Sequence, residues 1–225
     1  MIGRQYICAI AKDEQLYLLE WIKYHISKGI DKIIVYNNGE SVYDVGGLED
    51  YVEFIPWHPT SHIINVQVDA YNDFIENHEG EGIAYFIDID EFIWGDLLSE
   101  GNIALEDVTF DAYGQLFYDA QPVFERFPRE AVLNMTCNLK TAVDLSNPGR
   151  FISCHRTNAF LKTVDGIIVP DHHIDNKTSR STYLRHYLTK SLEEYLHKLK
   201  RGNITKGLRT LEYFFKVNPD MLLCQ

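Results

Sequence analysis

The run Tyr85-Phe86-Ile87-Asp88-Ile89-Asp90-Glu91-Phe92-Ile93 sets three carboxylates into an otherwise apolar stretch, and that mixture restricts where the stretch can lie. Most of it reads as a strand. Side chains alternate along a strand, so Asp88 and Asp90 project to the same side, about 6 to 7 Å apart. An unpaired buried carboxylate is costly, so two of them need a cation, or the point where a strand leaves its sheet and meets water. Both solutions predict a carboxyl-terminal strand edge. Ligands bind at that edge in open α/β sheets, and paired carboxylate oxygens suit Mg²⁺ or Mn²⁺ carrying substrate phosphates. A solvated turn that closes a strand is the plainer alternative for any Asp-x-Asp.

The residues before this run alternate strand and helix patterns, which predicts an α/β fold with a mostly parallel central sheet flanked by helices. Tyr6 to Ala11 reads as the first strand. Asp13 is placed to cap the next helix, whose apolar residues Leu16, Leu19, Trp21, Ile22 and Ile26 recur at helical spacing until Gly29. Lys32 to Tyr36 reads as a second strand closed by Asn37-Asn38-Gly39, and Tyr51 to Ile55 as a third halted by Pro56 and Pro59. A helix from Asn65 to His78 then precedes a fourth strand, Ile83 to Ile87. Right-handed crossovers align the carboxyl ends of such strands. Lys12, Asp13, Glu14, Asn37, Asn38, Asp88 and Asp90 therefore converge on one crevice. The first strand is followed by no Gly-x-Gly-x-x-Gly, and no P-loop pattern occurs, which argues against a dinucleotide oxidoreductase or a P-loop phosphotransferase.

Gly95 to Val169 is less regular, with strand-like runs at Gln115 to Tyr118 and Leu139 to Val143. It suits either an acceptor-binding region or a set of connecting loops. Ser191-Leu192-Glu193-Glu194 is a capping box that starts a helix running to about Lys200, and Gly202 ends it. A last helix is expected from about Lys206 to Lys216, burying Leu208, Leu211, Phe214 and Phe215. A chain of 225 residues, 45% hydrophobic, supplies one sizeable core and requires no second domain. No apolar run nears about 18 residues and no signal-peptide pattern opens the chain, which predicts a soluble, unsecreted protein. Cys8, Cys137, Cys154 and Cys224 lack Cys-x-x-Cys spacing, which disfavours zinc and a disulfide framework and fits a reduced cytoplasmic compartment.

The formal net charge is -12, yet Lys177 to Lys216 holds ten Lys or Arg against three Glu. The overall sign argues against nucleic acid as a partner. The basic segment predicts contact with anionic small groups or, peripherally, with the anionic inner face of a membrane; a solvated helical face is the alternative.

Several segments carry a resemblance. Ile7-Cys8-Ala9-Ile10-Ala11-Lys12-Asp13-Glu14, Glu20-Trp21-Ile22-Lys23-Tyr24-His25, Val35-Tyr36-Asn37-Asn38 and Tyr85 to Ile93 resemble the successive motifs of glycosyltransferases related to families 2 and 92. Arg185-His186-Tyr187-Leu188-Thr189-Lys190-Ser191, with Glu193-Glu194 and Lys198-Leu199-Lys200-Arg201-Gly202, is similar to the closing signature of the family 92 group. The resemblance spans nearly the whole chain. It implies a single GT-A (Rossmann-like) domain, with about 1–94 binding a nucleotide-diphosphate sugar and about 95–225 binding the acceptor and closing over metal and phosphate. It also implies Mn²⁺ or Mg²⁺ at the Asp-x-Asp pair, with Asp90 as direct ligand, Asp88 touching metal or ribose, and His186 completing the site; His155, His172 and His173 are alternatives to His186.

By the same resemblance Lys12, Asp13 and Glu14 cradle base and ribose. Asn37 stands where family 2 enzymes often carry an aspartate. Lys190 and Arg201 are candidate pyrophosphate contacts, Lys as a point charge and Arg as a two-pronged donor. Inverting transfer needs a carboxylate base; Glu125 in Val123-Phe124-Glu125-Arg126-Phe127 resembles the family segment, with Asp119 and Asp111 as rivals. The implied activity is metal-dependent hexosyl transfer to a glycan or lipid-linked acceptor, as in cell-surface polysaccharide biosynthesis. Nucleotidyl transfer on a similar scaffold and a catalytically inactive sugar-nucleotide-binding protein are the competing readings. A haloacid-dehalogenase-like phosphatase fits poorly, because Glu91-Phe92 follows the second aspartate in mid-chain.

Overall fold

The computed structural model describes residues 3–61, 65–78, 80, 82–132, 137–170, 173–174, 180–202 and 210–222. Its first half follows the alternation expected: β1 (Gln5–Ala11), α1 (Leu18–Ser27), β2 (Lys32–Asn37), β3 (Val52–Pro56), α2 (Val66–Asn77) and β4 (Ile83–Phe86). β1 pairs in parallel with β2 on one side and β4 on the other, and β2 pairs in parallel with β3. Both faces of these strands are covered. Ile7, Ala9 and Ala11 of β1 pack with Leu18, Trp21 and Ile22 of α1, whereas Cys8 and Ile10 pack with Tyr71 and Phe74 of α2. That is why β1 reads as a continuous apolar run rather than as an alternating one.

β5 (Glu91–Gly95), β6 (Ile103–Thr109), α3 (Val123–Arg126), β7 (Cys137–Asp144), β8 (Phe151–Ser153), β9 (Arg156–Thr157), β10 (Lys162–Thr163), β11 (His173–Ile174), β12 (Thr182–His186), α4 (Leu192–Arg201) and α5 (Leu211–Val217) complete the order, before a 3-10 turn at Pro219–Leu222. The large sheet runs β3-β2-β1-β4-β7-β6-β12-β5. β7 is antiparallel to both β4 and β6, and β5 is antiparallel to β12, so the sheet is mixed beyond β4. No helix among the described residues is long and apolar enough to cross a membrane.

Several expectations need correction. Tyr85 to Ile93 is two strands that never pair with each other: β4 ends at Phe86, Ile89-Asp90 is a turn, and β5 leaves for the far edge of the sheet. The alternation argument for Asp88 and Asp90 therefore fails, although their place just beyond the carboxyl end of β4 holds. Asp13 does not cap α1, which starts at Leu18 behind Tyr17; Asp13 sits at φ 53° and its Oδ1 accepts from Ser41 Oγ at 2.8 Å. Gln115 to Tyr118 forms no strand, and β6 was not anticipated, because Glu106 and Asp107 interrupt its apolar pattern. Leu16 and Leu211 are exposed rather than buried, while Phe214 is fully buried. The expected start of the last helix, with Leu208, lies outside the described residues. By contrast α2 begins at an Asn65 cap, α4 carries the Ser191 capping box, and Gly29 (φ 101°) follows α1 where a left-handed residue is needed.

α1 is clamped to β5 through two buried side chains. Trp21 Nε1–H donates to the Glu91 carbonyl at 2.7 Å. His25 Nδ1 lies 2.8 Å from the Trp21 carbonyl and so carries the proton, leaving Nε2 to accept the Ile93 N–H at 3.2 Å. Burial holds this imidazole down at about 3, against 6.5 for a free histidine. The unfolded chain takes up a proton that the native state refuses, so His25 supports stability fully above about pH 6.5 and withdraws that support as pH falls towards 3. The slope reaches at most about 1.4 kcal/mol per pH unit. Urea midpoints followed from about pH 7.5 down to pH 5 are expected to fall less steeply in His25→Gln than in the unsubstituted protein; parallel curves would exclude this account.

Candidate functional site

The strand order 3-2-1-4 reverses direction between β1 and β4, and the crevice outside the carboxyl ends of these two strands is where open α/β sheets bind ligands. Lys12 and Asp13 follow β1 there, and Asp88 to Asp90 follow β4. Three hydrogen bonds fix the acidic turn. Glu91 N–H donates to the Asp88 carbonyl at 3.0 Å, Asp88 N–H to Glu91 Oε2 at 2.8 Å, and Tyr187 N–H to the Asp90 carbonyl at 2.8 Å. Register brings the end of β12 to the same place, with His186 opposite Glu91.

The result is a cluster of four carboxylates, Asp88, Asp90, Glu91 and Asp107, threaded by Lys140, His186 and Lys198. Asp88 Oδ1 accepts from Gln67 Nε2 at 2.7 Å and Oδ2 lies 2.8 Å from Lys140 Nζ. Burial alone would raise this carboxyl; Lys140 overrides it and holds Asp88 below its ordinary value. Lys140 also lies 3.4 Å from Glu91 Oε1. Glu91 is wholly buried, and burial pushes it up to about 8 in spite of Lys140. A protonated Glu91 leaves three negative groups facing three positive ones, which accounts for how so many ionisable groups share a partly buried cluster.

His186 is the hinge of the cluster. Its Nδ1 lies 3.0 Å from both Asp107 oxygens, so that nitrogen carries a proton. Its Nε2 is buried without a hydrogen-bond partner and lies 3.5 Å from Asp90 Oδ1. Burial opposes a charge on the ring, but Asp107 and Asp90 raise it to about 10. Asp90 is largely buried in its turn, and Lys198, whose Nζ bonds Asp90 Oδ2, together with His186 outweighs that burial and holds Asp90 well below the carboxylate range. Glu91, Asp107 and His186 form a buried group whose ligand atoms lie within 4.8 Å of one another, close enough to hold a metal ion.

Beside the cluster opens a cleft of about 250 Å³ lined by Asp13, Glu14, Tyr17, Lys190, Lys198 and Arg201, among others. Arg201 Nη2 lies 2.7 Å from Glu14 Oε1, and Nη1–H donates to the Asp13 carbonyl at 3.1 Å. Lys190 Nζ stands 4.2 Å from the centre of the Tyr17 ring. Asp13 and Lys190, which both line the cleft, hold left-handed backbone at φ 53° and 52°, a conformation uncommon outside glycine and concentrated at functional sites. Gly39 lets Asp13 approach: a Cβ there would lie 2.6 Å from Asp13 Oδ1.

The residues singled out from sequence separate clearly. Asp13, Glu14, Lys190 and Arg201 share the cleft, and Asp88, Asp90 and His186 share the acidic cluster; Lys198 belongs to both. Lys12 is half-buried directly after β1. Asn37 is occupied by its own turn, donating to the Ser41 carbonyl and accepting the Gly39 N–H. Glu125 is exposed on α3, and it is the adjacent Arg126 that is buried against Glu194 at 2.8 Å. Asp111 pairs with Arg129 at 2.6 Å, and Asp119 lies on an exposed loop. His155 is tied to the Leu139 carbonyl at 2.7 Å; His172 and the His173 side chain lie outside what is described. Gln67, Glu91, Asp107, Lys140 and Lys198 were not foreseen as site residues. A signal existed for two of them: Lys140 and Asp107 are charges inside apolar strand sequence, and such charges need partners.

A scan against protein-family models gives no match to this chain, and a search of curated proteins gives no significant match. Removing Lys140 takes the cation from Asp88, whose side chain is 35% exposed, so Lys140→Met is expected to cost about 1 to 3 kcal/mol at neutral pH. Adding Asp88→Asn to it should recover part of that loss, since the two residues contact each other. Urea denaturation of the three proteins measures both values; a neutral Lys140→Met would show that the pair carries no stability.

Proposed function

We propose that the chain is a metal-dependent glycosyltransferase that moves a sugar from a nucleotide-diphosphate sugar to a glycan or lipid-linked acceptor, on a fold of the GT-A type. One observation carries this reading. An acidic turn and a basic cleft meet at the switch point of the sheet, Asp90 belonging to the first, Lys190 and Arg201 to the second, and Lys198 touching both. A nucleotide-diphosphate sugar needs both halves: cations for its phosphates, and carboxylates to hold the metal that accompanies them.

The donor set suits Mn²⁺ or Mg²⁺. The buried, partnerless Nε2 of His186 faces Asp90 Oδ1, and a histidine whose other nitrogen donates to a carboxylate, here Asp107, is the usual arrangement of a metal-binding imidazole. Asp90 and, once Nε2 has given up its proton to make way for the ion, His186 are thus the residues that would hold it. Asp88, with both oxygens engaged by Gln67 and Lys140, shapes the turn beside them. Bound there, a divalent ion supplies electrostatic stabilisation of the diphosphate leaving group. Lys190 and Arg201 add charge to the same phosphates from the cleft that they line.

Nucleotide-diphosphate sugars screened by thermal shift are expected to raise the melting temperature in the presence of Mn²⁺ and not in its absence. Turnover should release a nucleoside diphosphate, where nucleotidyl transfer would release pyrophosphate. Asp90→Asn should lower sugar transfer by about 100-fold or more with the fold intact. Undiminished transfer in that variant, or in the absence of any divalent ion, would overturn the reading.

A further inference from the structure

The inner face of α4 lays its cations on the acidic groups of the opposite wall. Lys198 Nζ is bonded to Asp90 Oδ2 and donates to the Leu188 carbonyl at 3.2 Å. Arg201, three residues further along the same face, holds Glu14 at 2.7 Å. Lys198 therefore occupies one oxygen of the residue that the reading above assigns to the metal, while the other oxygen faces the partnerless Nε2 of His186. A lysine and a divalent cation cannot both sit on that carboxylate at close range without strong mutual repulsion. Lys198 is able to leave: its ammonium is a compact point charge on a flexible stem, and it already lines the cleft where the phosphates would lie.

We infer that Lys198 is a resident counter-ion, holding Asp90 in place of the divalent ion and transferring to the donor's diphosphate when that ion binds. This rests on the function proposed above and adds a residue and an order of exchange to it. Lys198 thereby does two opposite things. In the empty cleft it competes with the metal, and in the loaded cleft it binds phosphate. Arg201 has a different partner, Glu14, and so contributes charge to the cleft without competing for Asp90 directly.

The test measures binding by isothermal titration, with Mn²⁺ alone and then with inorganic pyrophosphate at saturating Mn²⁺, on the full chain. Lys198→Met is expected to bind Mn²⁺ alone about tenfold more tightly than the unsubstituted protein, and pyrophosphate about tenfold more weakly. Arg201→Met should change Mn²⁺ affinity by less than about threefold, the residue of a general field effect. Lys198→Gln, which keeps a polar group near Asp90, serves where Lys198→Met does not fold, and its affinities should move in the same two directions. Mn²⁺ affinity that is unchanged or weaker in the Lys198 variants overturns the inference. So does an equal gain in Arg201→Met, or pyrophosphate binding that does not weaken. Absence of Mn²⁺ binding in the unsubstituted protein and the Lys198 variants alike would defeat the metal-dependent reading itself, whereas binding of equal strength in all of them defeats only the role given to Lys198.

Discussion

Asp88, Asp90, Glu91 and Asp107 crowd four carboxylates into one corner of the sheet, the last two of them buried, and the need to neutralise them governs much of the surrounding architecture. Three cations arrive from three separate elements: Lys140 from β7, His186 from β12 and Lys198 from α4. None of these elements follows β4 directly in sequence. β7 enters between β4 and β6 as an antiparallel strand, and this is what delivers a lysine beside Asp88. The fourth negative charge is removed by burial, which favours the protonated form of Glu91.

Glu91 shows why a carboxylate is retained at a position where it is held protonated. Its Oε2 accepts the Asp88 N–H while its own N–H returns to the Asp88 carbonyl, so one residue closes the turn twice. Its carbonyl takes the Trp21 indole N–H and secures the turn to α1. The turn that presents Asp88 and Asp90 is thus braced from the sheet and from the helix layer together. Rigid support of this kind is what a binding constellation requires if its oxygens are to stay in place.

The first half of the fold was readable because its signals are local. Strand runs, an Asn65 cap, a Gly29 terminator and the Asn37-Asn38-Gly39 turn each depend on a few adjacent residues. The Ser191 capping box was readable for the same reason. The acidic run was misread as one strand because Ile87, Ile89, Phe92 and Ile93 are all buried, and burial on both sides of a tight turn looks like a continuous strand in sequence. β6 was overlooked because Glu106 and Asp107 break its apolar pattern, and the partners that make them tolerable, Arg180 and His186, lie more than seventy residues away. Asp13 fitted a helix cap by position, yet its conformation answers to the cleft and to Gly39. Partners that are distant in sequence are what propensity and spacing cannot supply.

α4 divides its ion pairs according to how easily each can be exchanged. At its start, Glu194 caps the helix through Ser191, holds Arg126 in a two-pronged pair and accepts the Tyr17 hydroxyl. The side chains of Arg126 and Glu194 are only 2% and 3% exposed. Breaking such a pair leaves an uncompensated buried charge and costs about 3 to 5 kcal/mol, so this end of the helix is fixed. The pairs one and two turns further on, Lys198 with Asp90 and Arg201 with Glu14, border the cleft, with the cations 14% and 21% exposed. Phosphate oxygens or water can replace a carboxylate there without leaving the cation unsolvated. A helix rooted by a dry pair and tipped with wetter ones can surrender its tip contacts to a ligand while keeping its position, and that difference in desolvation is what makes α4 suited to close a site as well as to hold the fold together.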